Sequence, residues 1–181
     1  SSVVLPILKE RLPVFLQDTP QLTFTEFLAT VNARGEDKFE RYAVEVFKNR
    51  QKIAGRLKVE ICYECAEFLR AKGFENRADF YAVSPEKLES LISLELVEKV
   101  RGIGPTLARY LLILLGREDH VKPDSLLLRL FARETGWIPK MGHAQDMERV
   151  REIVENLADQ MNTSPARLDN ALWLYESNRK V

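Results

Sequence analysis

An all-α fold is predicted by three features of the sequence. Apolar residues recur at helical spacing, as at Phe39, Ala43, Val46 and Phe47, or at Leu168, Leu172, Trp173 and Tyr175. The segments so patterned are bounded by helix punctuation, with Thr23, Asn76, Ser84-Pro85 and Ser164-Pro165 at starts and Gly35, Gly73 and Gly136 at ends. No stretch of useful length alternates polar and apolar residues as a half-buried strand would. About ten or eleven helices are expected on this pattern.

The elements follow in order. Residues 3–17 read as a helical arm that Pro13 should kink or split, because proline has no amide to donate. Thr23 and Glu26 have capping-box spacing and open a helix through Asn32, which Gly35 ends. Glu36 to Asn49 forms an amphipathic helix. A basic stretch, Lys48 to Lys58, follows with five cationic residues and no acid. A long helix is expected from Ala54 to Lys72, then short ones opened by Asn76 and by Ser84. Ile92, Leu96, Val97 and Val100 share one face of a further helix, Gly102-Ile103-Gly104-Pro105 makes a turn, and Pro105 to Leu115 is a very apolar helix. Asp124 is placed to cap a helix ending near Thr135, with Gly136 after it. Trp137-Ile138-Pro139 is a loop, residues 144–161 are amphipathic, and Ser164-Pro165 opens the last helix.

Composition sets bounds on function. The 181 residues suffice for one domain or two small lobes with a real core. Hydrophobic content of 45% and charged content of 30% are those of a globular protein, and no apolar run is long enough to span a bilayer. An intracellular protein is the expectation. The 27 basic and 27 acidic residues cancel, which weighs against a generally basic nucleic-acid binder but leaves room for a local field at Lys48–Lys58. The opposing acids fall on one helical face at Glu148, Glu152 and Glu155, with Asp146 just before. Cys62 and Cys65 have Cys-x-x-Cys spacing but lie in a long helix with no further ligands at metal spacing, so buried thiols are expected and metal none.

The turn at 102–105 carries the functional signal. Two glycines allow a turn too tight for side chains, and Pro105 suits the first helical position, whose amide needs no partner. A helix start presents free amides and the positive end of its dipole, and so attracts phosphate. A dinucleotide-binding fingerprint would want a small residue at 107 and a preceding strand, yet Leu107 and helical surroundings are found. The plain alternative is a tight connection between two core helices. Asp124 stands eighteen residues beyond Thr106 at the start of another helix, where taken alone it reads as an N-cap.

Val100-Arg101-Gly102-Ile103-Gly104-Pro105-Thr106-Leu107-Ala108, followed at this spacing by Asp124, resembles the signature of the helix-hairpin-helix DNA glycosylase superfamily. The resemblance covers about residues 40–135, with Lys122-Pro123 before the aspartate, Ser125-Leu126 after it and Arg101 in place of a common proline as departures. It implies a two-lobed helical fold. One lobe spans residues 22–122 with the motif at 92–116, the other combines 1–21 with 123–181, and a DNA cleft lies between them. It implies that Asp124 is catalytic, stabilising the oxocarbenium-like sugar as the N-glycosidic bond breaks and orienting water. It places Gly102, Ile103, Gly104 and Thr106 against DNA phosphate and Gln51 near the position that fills the duplex gap, and the local field of the basic stretch adds Arg50, Lys52 and Arg56 as further DNA-binding residues. Phe47, Tyr63, Tyr110 and Trp137 are candidate walls of the pocket for a flipped base.

Thr106 stands where lyase members carry a nucleophilic lysine, so a monofunctional enzyme is implied. With no cysteine beyond Cys65, the iron–sulfur loop of many members is absent, leaving a monovalent cation at the hairpin as the one cofactor the resemblance allows. The expected partner is double-stranded DNA with a damaged base, met by a monomer. The alternatives are a non-enzymatic helix-hairpin-helix DNA-binding protein and a helical protein-interaction domain.

Overall fold

The computed structural model describes residues 4–179, with side chains from Lys9 onward, and the chain is mostly helical. It forms two compact units, one ending at Gly104 and one beginning at Pro105.

In the first unit, α1 (Val4–Asp18) runs on through Pro13, so the expected interruption does not occur; the expected start at residue 3 lies outside the described residues. What offsets the lost backbone bond is packing. Phe15 meets Phe27 and Phe47 with ring centroids 6.5 and 6.3 Å apart, and Val14 packs on the same core. Helix α2 (Phe24–Asn32) starts as expected at Thr23, whose hydroxyl accepts the Glu26 amide at 3.2 Å. Helix α3 (Lys38–Glu45) is shorter than the expected 36–49.

The basic stretch differs most from expectation. Lys52–Ile53 (β1) pairs antiparallel with Arg56–Leu57 (β2) around Ala54 and Gly55, both at positive φ. That is a two-residue hairpin turn, whose handedness suits the strand twist. The long helix therefore starts at Lys58, not Ala54, as α4 (Lys58–Ala71). The unit's core joins Phe27, Leu28 and Val31 of α2, Tyr42 and Ala43 of α3, and Val59, Tyr63 and Ala66 of α4.

Short helices α5 (Arg77–Tyr81) and α6 (Pro85–Ser90) open on Asn76 and Ser84 as the sequence predicts. The helix expected before the turn is a π-helical segment, Leu91–Leu96, running into one short turn, α7 (Val97–Lys99). Leu91, Ile92 and Leu96 are buried there, and Leu94 is exposed.

The second unit contains α8 (Pro105–Leu114), α9 (Ser125–Thr135), α10 (Ala144–Gln160) and α11 (Pro165–Ser177). Val121, Leu127, Leu128, Leu130 and Phe131 pack against Met147, Val150, Val154 and Ala158 of α10 and Leu168 of α11. The buried Glu176 ties α11 to α9 by pairing with Arg129 (2.8 Å) and Arg133. On α10, Arg151 pairs with both Glu148 and Glu155, so the acidic face expected there carries its own cation.

This division differs from the lobes implied by the resemblance. The N-terminal arm packs with α2–α4 through Val14, Phe15 and the Arg34–Asp18 ion pair (3.0 Å), and residues 105–122 belong with the C-terminal helices. Among the described residues, no helix is long and apolar enough to cross a membrane.

Candidate active site at the start of helix α9

Asp124 precedes α9 with extended backbone, φ −111° and ψ 176°. One carboxylate oxygen, Oδ1, accepts the amides of Leu126 (3.0 Å) and Leu127 (3.1 Å). Those are orphan donors of the first helical turn, so the side chain caps the helix while the helix dipole favours its negative charge. The aspartate is thus fixed by Oδ1, and Oδ2 remains for other work. Val121 and Pro123, both buried, anchor the chain that delivers it.

Lys122 stands between them with its side chain turned to the same place. Its Nζ lies 3.9 Å from Asp124 Oδ2 and 4.1 Å from the centroid of the Tyr110 ring on α8. Thr106, one helical turn before Tyr110, shares that face of α8. The structure thus brings Tyr110, Lys122 and Asp124 together, with Tyr110 as the seat of a cation.

A second carboxylate completes the group. Asp169 on α11 accepts the backbone N–H of Lys122 at 2.9 Å. Burial, and then the charge of Asp124, push the Asp169 carboxyl up to about 6, against the opposing pull of the Lys122 hydrogen bond. Asp169 is 45 residues from Asp124 and sits mid-helix behind an ordinary Ser-Pro start. No local motif could have flagged it.

At the end of the first unit, the turn is built on α4. Gly102 has φ +110°, and a Cβ there would lie 2.6 Å from Ile61 Cδ1. Glycine at 102 is therefore required by the fold. Ile103 is buried and its amide bonds Val100 O at 3.1 Å, so any outward contact from this residue is through backbone. Gly104 is different: it is exposed, has no positive φ, and a Cβ there would meet nothing within 4 Å. Among the described residues, nothing demands a glycine at 104. Val100 O accepts from Ile103, and Arg101 O accepts from Arg56 at 3.0 Å.

Several residues expected to bind DNA have other work. Arg56 forms ion pairs with Glu60 and Glu64 and bonds Arg101 O, so its charge is spent tying the β-hairpin to α4 and the turn. Arg50 is exposed beside Glu40 (2.5 Å), and Gln51 is exposed and accepts from Lys58 at 2.6 Å. Lys52 is exposed on β1.

Phe47 and Tyr63 belong to the first core. The Phe47 ring lies 5.3 Å from Tyr42, and Tyr63 donates to Asn32 at 2.9 Å and packs on Phe39. Trp137 packs edge-on to Phe131 in the second core under Arg149. Of the four aromatics, only Tyr110 faces the aspartate group; the other three are core residues. Cys62 is exposed rather than buried, Cys65 is partly covered, and burial pushes the Cys65 thiol up to about 12. Among the described residues, no group of three or more His, Cys, Asp or Glu is placed to hold a metal.

A family model, the domain of unknown function DUF8548, matches residues 10–177. The chain belongs to the DUF8548 family. The match spans the turn, Asp124 and Asp169 alike. No curated protein and no solved structure matches the chain.

Proposed function

We propose that this DUF8548 protein is a monofunctional DNA glycosylase, releasing a damaged base by hydrolysis of its N-glycosidic bond. The observation that carries the reading is the state of Asp124. It caps α9 with one oxygen and keeps the other for Lys122 and incoming groups, at the spacing from the glycine turn that the resemblance to helix-hairpin-helix glycosylases implies. As the bond to the base breaks, positive charge grows on the sugar, and a fixed carboxylate stabilises it most in the transition state. Oδ2 also suits orientation of the attacking water. Lys122 would leave Oδ2 for a nearby phosphate as DNA enters, freeing the carboxylate in the bound state. The exposed, unhindered Gly104 supports backbone contact with phosphate at the turn.

The test is incubation with duplex oligonucleotides carrying alkylated, oxidised or deaminated bases, followed by measurement of free base. Release from one class, lost in Asp124→Asn, supports the reading; no release from any, with DNA bound, favours the second reading of a non-enzymatic DNA-binding protein. The 3.9 Å pairing of Lys122 with Asp124 is the observation on that side, since a permanent partner would silence the carboxylate.

A further inference from the structure

We infer that Asp169 is a positioning residue for Asp124, holding the Lys122-Pro123-Asp124 segment in place from α11 through the Lys122 amide. The inference rests on the glycosylase reading for its catalytic consequence, but the clamp itself does not. The segment between α8 and α9 has no helix of its own to satisfy its backbone. Its buried anchors, Val121 and Pro123, hold by packing, and proline has no amide to donate. The Lys122 N–H lies between them, and an amide at a half-buried point needs an acceptor. Asp169 Oδ2 supplies it at 2.9 Å, from the middle of the C-terminal helix.

That helix is itself anchored. Ala166 N–H donates to Glu118 O at 3.0 Å near its start, and Glu176 binds Arg129 and Arg133 of α9 near its end. Asp169 therefore works from a rigid base, between two ties to the elements that flank Asp124. One residue separates the clamped amide from Asp124, so a shift at Lys122 passes to the carboxylate almost undiminished. Misplacement of a catalytic group by about an ångström is enough to lose on the order of a hundredfold in rate.

The ion pair between Lys122 Nζ and Asp124 depends on the same hold, because the backbone that Asp169 fixes also sets where the Lys122 side chain begins. A residue that only stabilised the fold would change Tm and leave the kinetics of the folded fraction alone.

Two variants separate the roles. Asp169→Ala removes the acceptor; Asp169→Asn keeps an oxygen for the Lys122 amide. Single-turnover base release should fall about 10- to 100-fold in the alanine variant, with duplex affinity unchanged, and return to within about threefold of wild type in the asparagine variant. Hydrogen exchange at the Lys122 amide, read by NMR without DNA, should be protected in wild type and Asp169→Asn and faster by at least about tenfold in Asp169→Ala.

Full activity in a folded Asp169→Ala protein overturns the positioning role. Equal protection of the Lys122 amide in all three proteins overturns the clamp. If wild type releases no base from any lesion, the glycosylase reading fails and the exchange data alone decide the clamp: protection lost in alanine and kept in asparagine upholds it.

Discussion

The two glycines of the turn offer a clean separation of structural from ligand-directed roles. At Gly102, alanine would be forced to φ +110° and its Cβ would sit 2.6 Å from Ile61 Cδ1. The backbone term is of order 1–3 kcal/mol, and displacing Ile61, a buried side chain of α4, adds to it. Taking about 2–4 °C per kcal/mol for a chain of this size, Gly102→Ala should lower Tm by at least about 4 °C. At Gly104, alanine meets no atom within 4 Å and no positive φ, so its cost to the fold should stay within about 0.5 kcal/mol, a shift of about 2 °C or less. If the turn's amides meet phosphate, however, the new methyl group stands where the backbone must approach. Gly104→Ala should then weaken binding to every duplex by a similar factor, about tenfold, because phosphate carries no sequence information. Differential scanning calorimetry and fluorescence anisotropy on several unrelated duplexes make the two measurements. A Gly104→Ala protein with unchanged Tm and unchanged affinity would refute the phosphate contact and leave the turn a connection between helices.

Asp124→Asn should retain the helix cap, since asparagine caps as well as aspartate, and so keep Tm within about 2 °C while base release falls at least about 100-fold; a variant with near-full activity would remove Asp124 from the chemistry. Replacing Arg50 and Lys52 by Ala should flatten the slope of log affinity against log salt by about two units if both meet phosphate, whereas an unaltered slope places the DNA elsewhere. Arg56→Ala should instead act on the fold, lowering Tm, because Arg56 holds Glu60, Glu64 and Arg101 O; affinity lost without any loss of Tm would contradict that assignment.

Asp169 makes a pH prediction whose sign follows from its raised pKa. The folded protein binds this proton more tightly than the unfolded chain, so the contribution is most favourable below pH 4 and is lost as pH rises through about 6. The shift corresponds to about 3 kcal/mol. Asp169→Asn should therefore raise stability relative to wild type at pH 7.5 and give little gain at pH 4. Urea unfolding at the two pH values checks it, and an equal difference at both would deny the burial and repulsion that raise the pKa.

What the sequence revealed and what it hid divide along physical lines. Caps are local, and Thr23, Asn76, Ser84 and Asp124 stand at helix starts as expected because side chain and amide are neighbours in the chain. The β-hairpin at 52–57 is hidden because two-residue strands show no alternation; Ala54-Gly55 is the available sign, and beside the apolar repeat that follows it reads as the start of a helix. Phe47, Tyr63 and Trp137 were legible as large aromatics, but whether a ring lines a pocket or fills a core depends on distant partners such as Tyr42, Phe39 and Phe131. Arg56 read as a free cation for the same reason, since Glu64 and Arg101 O come from other elements. Asp169 lay beyond reach altogether, its meaning supplied by an amide 47 residues away.

The cost that Asp169 imposes bears on the chemistry. Two carboxylates and one ammonium leave the start of α9 with an excess of one negative charge, near enough that Asp124 helps to hold Asp169 at about 6. At rest this arrangement opposes folding. On the proposed reaction, the sugar brings a growing positive charge to the same place as its bond to the base breaks. Asp124 is the carboxylate that meets that charge, so the rate depends on where Asp124 stands and not on the charge of Asp169. Asp169→Asn removes the buried charge and keeps an oxygen for the Lys122 amide, so it should gain stability at neutral pH without losing rate. The stability gained in Asp169→Asn thus comes from the charge, and the activity lost in Asp169→Ala from the hydrogen bond by which α11 holds Lys122, and through it Asp124.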